Sequence, residues 1–204
     1  GSSGQADEAG AAGASGSAGA GGDYDCELPP ACDAPPPDPG QKRPWNHSFT
    51  SAATSALGDP NHRGRDLFFN PGEEQWIIGK FAYGLNDKDI KEEEVDIYLL
   101  RDCGTTWEKL GTSITTADDK HPTVEGVEDT GGRIFFRIPN DKRVGPGLHR
   151  VHLVVAGDLT STDMFLNVVE PGTPMILSDV DGTLTTSENV EFTALLKGEL
   201  PESH

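Results

Sequence analysis

The chain has 204 residues, of which 34 are acidic and 16 are Lys or Arg, giving a formal net charge of −18. With no Lys/Arg cluster denser than Lys142-Arg143, so acidic a chain is not built to bind nucleic acid, and its bulk charge disfavours simple attraction to anionic lipid. No apolar run reaches the about 18 residues that a membrane-spanning helix needs.

Residues 1–44 read as a disordered tether. Gly/Ala/Ser runs fill Gly1 to Gly22, and seven prolines follow between Pro29 and Pro44. Such a segment buries too little apolar surface to offset the entropy of ordering it. The chain opens on Gly1 without Met, so either a leader has been removed or Gly1 to Gly4 is a cloning remnant. A Gly/Ala/Ser tether ahead of a folded domain resembles the mature start of a bacterial surface lipoprotein. That resemblance implies a lipid-anchored N-terminus and an extracytoplasmic location, whether periplasmic, surface-bound or secreted. Of the three cysteines, Cys26 and Cys32 are close enough to close a small loop, which predicts a disulfide between them and leaves Cys103 free and buried. Two unpaired thiols in a tether is the alternative.

Residues 45–170 change character. Gln75–Gly84, Glu94–Leu100, Trp107–Thr115, Arg133–Ile138, His149–Val155 and Thr162–Val169 are aromatic and β-branched runs. They are separated by turn clusters such as Gly84–Asp89, Asp129–Gly132 and Gly145-Pro-Gly147. Val95, Ile97 and Leu99 alternate with polar neighbours, as in a half-buried strand. Ala156-Gly-Asp158 is the expected tight turn between the last two strands. No amphipathic helix of useful length is expected before residue 170. Short strands at this spacing predict a mainly β fold, an antiparallel β-sandwich. Their rhythm loosely resembles immunoglobulin-like or transthyretin-like accessory domains.

Glu170-Pro-Gly-Thr-Pro174 then reads as a linker into a second, incomplete domain over residues 171–204. Met175-Ile-Leu-Ser-Asp-Val-Asp-Gly-Thr-Leu-Thr reads as a buried strand ending at two carboxylates, Asp179 and Asp181. Residues i and i+2 of a strand share a face, so both acids reach one site at the strand's C-terminal end. A carboxylate attacking an anionic phosphate needs a cation to relieve the repulsion, and Mg²⁺ with its oxygen ligands suits that task.

This stretch resembles the first motif, D-x-D-G-T, of the haloacid-dehalogenase-like phosphatases. It is closest to the C-terminal domain of lipins and of phosphatidylinositol-transfer-type proteins. The resemblance implies Asp179 as nucleophile and Mg²⁺ ligand. It makes Asp181 the general acid and base, with its carbonyl on the metal, and Gly182 and Thr183 the shapers of the turn. It also implies a Rossmann-like α/β domain of which only the first strand is present. Later elements of that family, a distant Lys and further acids, have no counterpart in the residues after Asp181. The chain is therefore expected to be inactive alone, as the start of a truncated phosphatase domain.

Other residues invite weaker readings. The six histidines, with His149 and His152 on opposite sides of one strand, read as scattered surface or core residues rather than metal ligands. Asp118, Asp119, Glu125, Glu128 and Asp129 suggest a loop Ca²⁺ site, with solvated turn acids the more ordinary reading. Trp45, Trp76 and Trp107 are expected in core packing more than in a sugar-stacking face. Asn46-His-Ser48 fits a glycosylation sequon.

Two functions follow. The first is the N-terminal portion of a Mg²⁺-dependent phosphatase acting on a phosphomonoester, phosphatidate or another lipid phosphate, through an aspartyl-phosphate. The alternative is a non-catalytic binding module whose sandwich docks a lipid, glycan or protein partner; a spacer role is not separable from it by sequence.

Overall fold

The computed structural model describes residues 31–175. In chain order, α1 (Ser48–Ser55) precedes β1 (Arg63–Gly64), β2 (Leu67–Phe69), β3 (Trp76–Lys80), β4 (Ala82–Tyr83) and β5 (Lys88–Asp89). After these come β6 (Glu94–Leu100), β7 (Trp107–Ile114), β8 (Arg133–Arg137), β9 (Gly147–Val155) and β10 (Ser161–Val168). The fold is mainly β. Five of the six expected strand runs are present within a residue or two of their ends, and the sixth, Gln75–Gly84, breaks at Phe81 into β3 and β4, which join different sheets.

Two sheets enclose the core. One has the order β1-β3-β8, the other β2-β10-β9-β6-β7, while β4 and β5 form a separate hairpin. Ile77, Ile97, Leu99, Ile134, Val151, Leu153 and Leu166 are fully buried between them. Pairing is antiparallel throughout except at the edge, where β2 runs parallel to β10 with Leu67 opposite Leu166. A three-residue strand whose partner lies about a hundred residues on has no local signature. Between β6 and β7 the register slips at Ile97/Tyr98, leaving Leu110 as the extra residue of a bulge.

The strand β6 departs from the half-buried pattern. Val95, Ile97 and Leu99 face the core, yet Asp96, Tyr98 and Leu100 on the opposite face are 2%, 8% and 0% exposed. The cover comes from residues 31–45, the end of the expected tether, which lie across that outer face as a strap. Arg43 donates its backbone N–H to Ala156 O at 2.9 Å, and its guanidinium reaches Asp96 and Glu94. Trp107 Nε1 donates to Pro35 O at 2.7 Å, and Arg150 Nη1 donates to the carbonyls of Cys32 and Ala34 at 3.0 and 3.1 Å. Disorder expected for 1–44 is thus corrected for residues 31–44. Composition argued from what the segment buries by itself, whereas its carbonyls and one arginine are satisfied by the sheet.

The disulfide is also corrected. Cys32 pairs with Cys103, 71 residues away, with Cα atoms 4.6 Å apart, so Cys32 cannot pair with Cys26. Cys26 lies outside the described residues. Sequence proximity favoured the short loop, but Cys103 sits in the turn after β6, directly under the strap.

The helix α1 was not expected either. It has no apolar stripe, and Phe49 on it is 85% exposed. Its start is held from a distance: the Glu93 carboxylate, 2% exposed, accepts the N–H groups of Asn46 and His47 and the Ser51 hydroxyl at 2.8, 2.9 and 2.6 Å. A negative group at a helix N-terminus is favourable, but this one is supplied 42 residues downstream.

The strap is fixed at its C-terminal end by Trp45, whose indole lies flat against Gly157 in the β9–β10 turn. A Cβ at position 157 would sit 2.3 Å from the ring. Gly157→Ala is expected to lower stability by about 1–3 kcal/mol through overpacking. Chemical denaturation of the two proteins measures it, and an unchanged midpoint contradicts the contact.

Candidate functional site

Asp179, Asp181, Gly182 and Thr183, and with them the expected Mg²⁺ site and the Rossmann-like strand, lie outside the described residues. The acidic loop resolves differently from a Ca²⁺ site. Asp129, 4% exposed, accepts the N–H groups of Lys120, His121 and Gly131 at 2.9, 2.9 and 3.0 Å and the Thr116 hydroxyl at 2.6 Å. Burial alone raises its pKa, but these donors outweigh it and hold the carboxyl below its ordinary value. The carboxylate organises the loop and its lone pairs are taken. Asp118 pairs with Lys91 at 2.6 Å. Among the described residues no three His, Cys, Asp or Glu side chains gather around a point that suits a metal ion.

His149 and His152 do face opposite sides of β9, and both are buried. His149 Nδ1 accepts the Asp102 N–H at 2.9 Å, and its Nε2 lies 2.9 Å from Gly145 O. His152 Nδ1 lies 3.0 Å from Asp163 Oδ1, which also takes Arg150 Nε. Trp45 and Trp76 pack against the core as expected. Trp107 is instead held on the outer face, with the Arg150 guanidinium 5.6 Å from its ring centre.

One polar cluster looks catalytic at first sight. His62 Nε2 lies 2.8 Å from Thr160 Oγ1, Thr160 Oγ1 lies 2.7 Å from Asp158 Oδ1, and the Tyr83 hydroxyl donates to Asp158 Oδ2 at 2.6 Å. The tautomer argues against nucleophilic use. His62 Nδ1 accepts the Ala82 backbone N–H at 3.3 Å, so the ring proton of the neutral imidazole sits on Nε2 and faces Thr160. A base that activates a hydroxyl needs a bare nitrogen there. The cluster ties β4 to the β9–β10 turn, and burial draws the His62 pKa down to about 4.

The chemistry left on the surface lies where the two sheets meet along β1 and β2. A groove of about 360 Å³ is lined by Arg63, Arg65, Lys80 and Arg133, together with Asp66 and the backbone of β1 and β3. Arg63 is bound to Asp87, and Lys80 to Asp89 at 2.6 Å and to Gly131 O at 2.8 Å. Among the described residues Arg65 and Arg133 have no carboxylate partner; Arg133 Nε reaches only Thr130 Oγ1, at 3.3 Å. Beside this groove is an apolar trough of about 260 Å³ on the outer face of β2, β10 and β9, lined by Leu67, Phe68, Leu148 and Phe165. Phe68 is 47% exposed. Asp66 borders both hollows and fixes their junction by accepting the Phe165 N–H at 2.7 Å. Sequence reasoning missed this constellation because Arg65 and Arg133 are far apart along the chain and neither belongs to a basic run.

The family model for the PITM 1-3 β-sandwich domain matches residues 60–168, which run from just before β1 to the end of β10. The chain belongs to that family. Among relatives of this PITM β-sandwich, protein retinal degeneration B of Drosophila melanogaster is 33% identical over 155 residues, 74% of this chain and 11% of the relative. Membrane-associated phosphatidylinositol transfer protein 1 of Rattus norvegicus is 30% identical over 132 residues, 64% of the chain and 10% of the relative. The human membrane-associated phosphatidylinositol transfer protein 3 is 29% identical over the same length, with 12% of it covered. The chain thus spans about a tenth of the length of the curated relatives it matches.

Membership in the PITM β-sandwich family corrects three expectations. Recognition as a haloacid-dehalogenase-like or lipin-type phosphatase gives way, because the match lies on the strands of 60–168 and two of these relatives are named as phosphatidylinositol transfer proteins. The Mg²⁺-dependent phosphatase function falls with it. A five-residue turn motif carries little information about a whole chain, whereas a hundred residues of strand pattern carry much. The extracytoplasmic, surface-lipoprotein location falls too, since these relatives are animal proteins, two of them named membrane-associated.

His62 sets a pH dependence. Its folded pKa lies near 4 and its unfolded value near ~6.5. With the folded pKa depressed, its contribution is whole above about pH 6.5 and is lost as the pH falls toward 4, by up to ~1.4 kcal/mol per unit. Denaturation midpoints from pH 7 to 4 test this. His62→Gln is expected to flatten that part of the curve, and an equal slope in both proteins refutes the assignment.

Proposed function

We propose that this PITM β-sandwich is a non-catalytic module that docks on an anionic lipid surface. It would hold a phosphatidylinositol transfer protein, of which this chain represents a part, against the membrane. The observation that carries the reading is the junction at Asp66, where a groove holding two guanidinium groups that have no carboxylate partner among the described residues adjoins an apolar trough with a half-exposed phenylalanine. Guanidinium forks bind phosphate oxygens bidentately, and aromatic side chains insert at the level of lipid headgroups. The names of the relatives support a lipid partner, and the orientation of the His62 ring speaks against hydrolysis at the nearby hydroxyl.

The net charge of −18 does not oppose this. Charges beyond a Debye length of ~8 Å are screened at physiological salt, so a local cationic groove acts on a headgroup while distant carboxylates do not.

Vesicle co-sedimentation tests the proposal. The protein is expected to bind phosphatidylcholine vesicles doped with phosphatidylinositol, and to bind pure phosphatidylcholine weakly. Each arginine near such a surface contributes about 1 kcal/mol, so Arg65→Ala combined with Arg133→Ala is expected to weaken binding by roughly 30-fold. Phe68→Ser is expected to weaken it with little change in salt dependence. Equal binding to both vesicle types, unaltered by the arginine variants, refutes the docking assignment.

A further inference from the structure

The outer face of the five-stranded sheet is divided between two covers. Pairing places Phe165 opposite Arg150, Arg150 opposite Leu100, and Leu100 opposite Trp107, so these four side chains form one row on one face. Phe165 lines the open apolar trough, whereas Arg150 and Trp107 are held under the strap. The trough therefore stops where the strap begins, and the surface beneath the strap is its lateral continuation.

What holds the strap differs along its length. From Arg43 onward it is anchored by a backbone hydrogen bond, the buried Asp96 ion pair and the Trp45 indole against Gly157. Between Cys32 and Pro39 it has no strand pairing, and four of its eight residues are prolines, which offer no N–H to a sheet. Three side-chain hydrogen bonds to carbonyls and one covalent bond, Cys32–Cys103, keep that part in place. Cys103 itself follows Asp102 in a turn where both residues have positive φ, 52° and 48°, a conformation that non-glycine residues seldom adopt. The turn is retained by the Asp102 N–H on His149 and by the disulfide.

We infer that Cys32–Cys103 is a redox-cleavable clasp on the docking face. Reduction frees residues 31–40 and uncovers the Arg150 guanidinium and the Trp107 indole beside the apolar trough, so that the reduced protein binds lipid surfaces more strongly. This regulation rests on the lipid-docking reading given above. The step is an ordinary exchange. A dithiol reductant attacks one sulfur as its thiolate and forms a mixed disulfide, and its second thiol then displaces the protein. The reductant leaves as a disulfide, and Cys32 and Cys103 each end as a thiol carrying one proton. The Arg43 and Trp45 anchors keep the released segment tethered at its C-terminal side, so reoxidation is intramolecular.

The full 204-residue chain is compared before and after treatment with dithiothreitol, and with a Cys32→Ala, Cys103→Ala double variant that needs no reductant. Hydrogen exchange of residues 31–40, fluorescence of an apolar dye and co-sedimentation with phosphatidylinositol-doped phosphatidylcholine vesicles are read in parallel. Both reduction and the double variant are expected to speed exchange in the strap, to raise dye fluorescence and to tighten vesicle binding about fivefold, as one further aromatic contact allows. Unchanged exchange and dye binding overturn the clasp. So does a strap that is released in a protein that binds vesicles when oxidised and binds them no more strongly when reduced. If strap and dye respond but neither redox form binds vesicles, the membrane-docking reading fails, while the clasp over an apolar face stands. A strap that opens in the double variant but not on reduction also counts against the clasp, because the bond is then not reached by a dithiol.

Discussion

Asp96 is an acid on the outer face of a central strand, with a side chain 3% exposed, and that burial must be compensated. Arg43 donates to both carboxylate oxygens at 2.8 and 2.9 Å, Lys109 Nζ lies 2.8 Å away, and the Thr112 hydroxyl donates at 2.6 Å. Burial alone raises the pKa of such a group. The donors outweigh it and hold Asp96 well below the ordinary carboxylate range, while Arg43 is raised above its own. A buried charge stripped of its partner is costly, so the strap that delivers Arg43 is a structural part of the sheet and not an appendage. Once Arg43 is placed, Pro44 and Trp45 follow it to the β9–β10 turn, and the preceding prolines are led across Trp107 and Arg150.

That placement decides which surfaces stay available. The strap covers the part of the outer face around Asp96, Tyr98 and Leu100, and leaves the β2–β10 edge open with Phe68 and Phe165 on it. The parallel pairing of β2 with β10 then sets Asp66 at the end of that trough, next to the arginines of β1 and β8. An apolar hollow and a cationic groove become neighbours because two sheets meet there. Cations and aromatics placed side by side suit the interfacial region of a bilayer, where headgroup phosphates overlie hydrocarbon.

The contrast between the two candidate chemistries is instructive. Asp179 and Asp181 drew attention because two acids and a glycine turn form a compact local signal that reads as phosphoryl transfer. The family match instead rests on strands spread over residues 60–168, with no residue in them that announces a reaction. His62, Thr160 and Asp158 do sit within hydrogen-bond distance of one another, yet a single backbone N–H from Ala82 assigns the ring proton to the nitrogen that a base would need bare. Catalytic appearance in this fold is thus separated from catalytic competence by one hydrogen bond.

Strand rhythm was legible in the residues themselves. Runs such as Glu94–Leu100 and His149–Val155 carry their own β-branched and apolar pattern, and Gly and Asp clusters mark where they end, so a two-sheet β fold followed from local chemistry alone. The Ala156-Gly-Asp158 turn was equally readable. What tertiary structure decided is everything that depends on partners distant along the chain: the Glu93 cap on α1, the parallel β2 edge, the Cys32–Cys103 bond, the ordered strap and the meeting of Arg65 with Arg133. The physical reason is common to them. Backbone periodicity is written in neighbours a few residues apart, whereas compensation of buried charge, pairing of thiols and gathering of like charges are settled only when folding brings remote groups within a few ångströms.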